Sequence, residues 1–124
     1  MSHRAARCAQ IQHDLARTLA GLRSLDDDAL ASGASGVSDL RRLLERGAAA
    51  AEQLEQLYPR GDDLVVTTFF LRCAVDGARR DLPQELDGPG VERVVDAVSS
   101  IEAGLSRIIE MFAQRETLRL SYFG

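Results

Sequence analysis

The stretch from Val91 to Phe112 carries the clearest pattern of apolar and polar positions. Val91, Val94, Val98, Ile101, Leu105, Ile108 and Phe112 recur at alternating three- and four-residue intervals. That is the spacing of a helix seam packed against other helices. Val95 and Ile109 widen the stripe, while Glu92, Arg93, Asp96, Glu102, Arg107 and Glu110 fill the wet face. A stripe of this width is stable only when covered, and three earlier segments carry patterns able to cover it. Over residues 4–25, Cys8, Ile11, Leu15, Thr18, Leu19, Leu22 and Leu25 fall on one helical face. Over 37–58 the face reads Leu40, Leu44, Gly47, Ala51, Leu54 and Tyr58, flanked by Leu43 and Leu57.

The third segment, 63–81, is chemically mixed. Val65, Val66, Phe69 and Phe70 suit a strand, but a lone strand would find no partner in this chain. The helical reading puts Val66, Phe69, Phe70, Cys73 and Gly77 on the seam, with Asp76 and Arg80 as a favourable i, i+4 pair. The fourth helix spans 91–117.

The joints are marked by breakers. Residues 26–36 hold three aspartates and then alternating Ser, Gly and Ala, poor helix formers that predict a flexible connection. Anions just past a helix C-terminus oppose its dipole, so the aspartates read as a stop. Pro59 closes the second helix, and Arg60-Gly61-Asp62-Asp63 forms a turn whose acid caps the next one. Pro83, Gly88, Pro89 and Gly90 give loop chemistry before the fourth helix. Leu118, Leu120, Tyr122 and Phe123 are more apolar than a free tail requires. They either prolong the fourth helix and pack on the others, or form an extended hook for a partner. The expected fold is therefore all-α: one domain, 1–124, forming a four-helix antiparallel up-and-down bundle. Dimerisation through exchange of the first helix, or through tail packing, is compatible with the same seams.

Composition narrows the function classes. A net charge of −4 argues against nucleic-acid binding, which needs clustered cations. All 15 cations are arginine and they are scattered along the chain. No apolar run approaches a membrane span and no leader pattern stands at the start, so the expected location is the cytoplasm, with no membrane partner. Cys8 and Cys73 are expected as small core residues rather than as a disulfide or metal pair. The Glu-x-x-His spacing of a bundle di-iron site is absent, as are a phosphate loop and a nucleophile elbow. No cofactor and no catalytic residue are expected. Arg60-Gly61-Asp62 matches an adhesion tripeptide, for which turn and cap chemistry is the simpler account.

His13 points away from the seam through Ile11 and Leu15. His13-Asp14-Leu15-Ala16-Arg17-Thr18 resembles in part the phosphoacceptor box of sensor histidine kinases, but Ala16 breaks the order and no Pro follows Thr18. The expected function is a non-catalytic protein–protein interaction module: an adaptor, chaperone, inhibitor or immunity-type protein. Its expected contact surface combines the small-residue waist at Gly47 and Ala51 with Leu118, Leu120, Tyr122 and Phe123. A structural subunit is the alternative, a homodimer is compatible with either reading, and phosphotransfer at His13 is a third.

Overall fold

A computed structural model describes residues 3–123 of the chain, with the side chains of Tyr122 and Phe123 outside that description. The described residues are all-helical and contain no strand. Five helices follow in order: α1 (His3–Ser24), α2 (Asp27–Ala31), α3 (Ala34–Glu55), α4 (Asp63–Asp81) and α5 (Gly88–Phe123). Each long helix packs on two others. α3 lies against α1 and α4, α5 lies against α4 and α1, and α2 rests on α3 and α5. The four long helices thus close a ring around one apolar core.

That core is made by the predicted seams of α1, α3 and α5. Cys8, Ile11, Leu15, Thr18, Leu19 and Leu22 are buried from α1. Leu40, Leu44, Gly47, Ala51 and Leu54 are buried from α3. Val91, Val98, Ile101, Leu105, Ile108 and Phe112 are buried from α5, with Val94 half-buried against them. Burying a large aliphatic or aromatic side chain contributes about 1.5–3 kcal/mol, so these three seams supply most of the driving force for folding.

The segment 26–36 is not the flexible connection its composition suggests. Asp26 acts as an N-cap, its side chain accepting from Ala29 N at 2.7 Å, and a short helix follows. Asp27 and Asp28 then sit in the first turn of α2, where the dipole favours them. Leu30 fastens α2 to the core, and Gly33, at φ 111°, turns the chain into α3 through a conformation that favours glycine. α3 consequently starts at Ala34 and ends at Glu55, three residues earlier at each end than the 37–58 reading. Gly36 is the close-approach point: a Cβ there would run into the Ala29 carbonyl.

α5 also begins earlier than its apolar pattern. Asp87 caps it, accepting from Gly90 N at 2.6 Å, and Pro89 occupies the first turn, where a missing N–H costs no helical hydrogen bond. At its other end α5 runs on to Phe123, for 36 residues in all, or about 54 Å.

The seam of α4 is displaced from the expected one. Leu64, Val65, Thr68, Leu71 and Val75 face inward, whereas Val66, Phe69, Phe70 and Cys73 are exposed. Thr68 is fully buried because its hydroxyl donates to Leu64 O at 2.6 Å and leaves no polar atom unsatisfied. Cys73 is therefore a surface residue, contrary to the core role expected of it, while Cys8 is buried. Asp76 pairs with Arg79 at 3.6 Å rather than with Arg80.

Candidate functional site

The outward face of α4 exposes large apolar side chains. Successive residues advance by 100° on a helix, so Val66, Phe69, Phe70, Cys73 and Gly77 share the side opposite Leu64, Thr68, Leu71 and Val75. Phe70 is 67% exposed, Phe69 44% and Val66 42%. The two phenyl rings meet edge-on at 6.0 Å, and the Arg72 guanidinium lies 5.4 Å from the Phe69 ring centre. Arg72 is held there by Glu55 of α3, through contacts of 2.7 and 3.3 Å. No charged residue falls on the midline of this face between Val66 and Gly77. Contiguous exposed apolar surface of this kind marks contact sites, whereas single exposed Leu residues are ordinary.

A second exposed apolar segment is the end of α5. Residues 117–121 are exposed, with Leu118 at 55% and Leu120 at 65%. Thr117 and Ser121 donate to carbonyls one turn back in their own helix. The tail prolongs the helix, as one of the two expectations had it, but Leu118 and Leu120 do not pack on the core. Tyr122 and Phe123 belong to the same helix; their side chains lie outside the described residues.

Gly47 and Ala51 are brought into the core rather than onto a groove. A Cβ at Gly47 would meet Thr18 Cγ2 at 3.1 Å, and Ala51 is buried. The small waist lets α1 approach α3 closely, so α1 already occupies the space a partner would need. His13 lies exposed on α1.

Just inside the α5 overhang sits a polar cluster that the sequence pattern did not reveal. Glu116 Oε2 accepts from Tyr58 Oη at 2.5 Å and from Arg4 Nη2 at 3.1 Å, and Oε1 accepts from Cys8 Sγ at 3.3 Å. Arg4 also donates to Leu57 O at 3.2 Å, and its guanidinium stacks 5.3 Å from the Tyr58 ring centre. Asp62 caps α4 by accepting from Leu64 N at 2.9 Å and pairs with Arg115. The tripeptide Arg60-Gly61-Asp62 is thus a turn whose acid is engaged within the chain.

Burial pulls the Glu116 carboxyl up, but bonds from Tyr58 and Cys8 and the charge of Arg4 outweigh it, leaving it below its ordinary range. Burial, then the bond to Glu116, pushes the Cys8 thiol and the Tyr58 phenol up. The thiol so held is a hydrogen-bond donor to the Glu116 carboxylate. The cluster therefore works as a clasp joining α1, the end of α3 and α5.

At the opposite end, Arg41 donates to Leu82 O at 3.0 Å beside an open cleft of about 800 Å³. Leu40, Leu44, Leu82, Leu86, Val94 and Val98 line it, and Asp81, Glu85 and Asp87 are its exposed acids. Among the described residues, no three His, Cys, Asp or Glu side chains converge as metal ligands. No described helix is long and apolar enough to cross a membrane. No family model, curated protein or solved structure matches the chain.

Proposed function

We propose that the protein is a non-catalytic protein–protein interaction module acting in the cytoplasm, built as a four-helix antiparallel up-and-down bundle with α2 as an added brace. The observation that carries this reading is the exposed apolar face of α4, uncharged along its midline from Val66 to Gly77. The α5 overhang, with Leu118 and Leu120, is the second contact element. Gly47 and Ala51 are left out of the contact surface because both are buried, Gly47 against Thr18 of α1. A bundle closed by its own core does not need Phe69 and Phe70 outside it, and their exposure is accounted for by a partner that covers them. The Glu116 carboxylate is engaged by Arg4, Cys8 and Tyr58, which supports binding over catalysis.

The test is an N-terminally tagged pull-down at native salt with the full chain, a Phe70→Ser variant and a chain lacking residues 118–124. Both variants should keep the helical circular dichroism and a melting temperature within about 2 °C of wild type, because exposed positions contribute little to stability. A protein captured stoichiometrically by wild type and lost with either variant supports the reading. Equal capture by all three refutes it. A large fall in melting temperature on truncation would instead make the overhang part of the core.

A further inference from the structure

The α4 face carries features that select among occupants. Its bulk is polarised, with Val66, Phe69 and Phe70 in the first half and Cys73, Ala74 and Gly77 in the second. Its charges are polarised too. Exposed Asp63 precedes the apolar run and exposed Arg80 follows it; among the described residues neither makes an ion pair within 4 Å, although the Asp63 charge also acts on Arg115.

We infer that this face binds a second copy of the chain, α4 packing antiparallel to α4 about a two-fold axis midway between Leu71 and Arg72. The inference rests on the reading of α4 as a contact surface and names its occupant. In that arrangement Val66 lies level with Gly77 of the other copy, Phe70 with Cys73, and Asp63 with Arg80. Each layer then places large against small and anion against cation, and the symmetry repeats every layer twice. A parallel pairing does the reverse, setting Phe70 on Phe70, Arg80 beside Arg80 and Asp63 beside Asp63. The small residues at 73, 74 and 77 permit the close axial approach such packing requires. The contact is continuous over the 19 residues of α4, about 28 Å of helix. One helix pair is a small interface, so the dimer should form at roughly 1–100 µM.

Sedimentation equilibrium of the purified full chain tests this. Wild type should shift with concentration from 13.5 kDa toward twice that mass. Phe70→Ser should remain at the single mass throughout. Arg80→Glu, and separately Asp63→Arg, should each raise the dissociation constant about tenfold or more by setting like charges together in both layers. An equimolar mixture of those two variants should recover the dimer, because each heterologous layer again pairs an acid with an Arg. Recovery on mixing is specific to the antiparallel register and is insensitive to modest losses of stability in either variant.

A wild-type chain that stays at its single mass up to about 100 µM overturns the inference. So does a dimer untouched by Arg80→Glu, or one not recovered by mixing. If the chain stays monomeric while Phe70→Ser still abolishes capture of another protein, only the identity of the occupant is wrong. If Phe70→Ser changes neither self-association nor capture, the contact-surface reading itself fails.

Discussion

Glu116 offers the sharpest test of what holds the overhang end of the fold together. Its carboxylate accepts from Arg4, Cys8 and Tyr58 and is largely shielded, with 14% of the side chain exposed. Glu116→Gln keeps the shape and one acceptor oxygen but removes the charge. A hydrogen bond to a charged group contributes about 1.5–3 kcal/mol against 0.5–1.5 for a neutral one, so demoting the Arg4 and Tyr58 bonds should cost about 2 kcal/mol. For a chain of this size that is a fall of about 8 °C in melting temperature.

The pH dependence supplies an independent check. Burial raises the Glu116 carboxyl, the bonds more than reverse that, and its folded value lies below its unfolded one. The stability it supplies is therefore complete above the unfolded value and lost as pH falls through the folded one. The gap between wild type and Glu116→Gln should be widest at neutral pH and shrink in acid. Urea denaturation at neutral and acidic pH measures both quantities, with exposed Glu92→Gln as the control. A Glu116→Gln loss no larger than that of Glu92→Gln, or a gap independent of pH, would refute the clasp.

Gly36→Ala should destabilise by about 1–3 kcal/mol, since the added methyl meets the Ala29 backbone. Gly61→Ala, with open space around it, should be neutral or stabilise by up to about 1 kcal/mol, so thermal melts of the two variants should diverge. Under native conditions a maleimide should label Cys73 alone, and Cys8 should react only once the chain is unfolded; two labels on the native protein would show α1 to be loosely held. Phe112→Ala, at the C-terminal end of the α5 seam, fully buried and edge-on to Tyr58 at 6.2 Å, should cost about 3–5 kcal/mol in denaturant titrations.

The seams of α1, α3 and α5 were legible because each has one apolar face and one wet face, so the period has a single solution. α4 is apolar on two sides, and periodicity alone cannot choose between them. The strongest apolar residues, Phe69 and Phe70, pull the choice outward, while the true seam runs through Thr68, whose hydroxyl is satisfied by its own helix. α2 was hidden by composition: a capping Asp26 and one buried leucine outweigh weak propensity. The Glu116 clasp joins residues as far as 112 positions apart, a pairing no local pattern encodes. Gly47 and Ala51 are small in the sequence, but which neighbour faces them depends on how the helices are arranged; both are buried, and Thr18 of α1 lies against Gly47.

The overhang of α5 has a thermodynamic consequence of its own. Helix turns without tertiary bracing are close to isoenergetic with coil, so residues 117–121 should open far more often than the core of the same helix. Their amides should lose hydrogen-exchange protection first, while those around Ile108 exchange only on global unfolding. Anything that grips Leu118 and Leu120 as helix must therefore supply the ordering free energy at that moment. Its affinity should consequently rise with substitutions that merely strengthen the helix there, without adding a single contact.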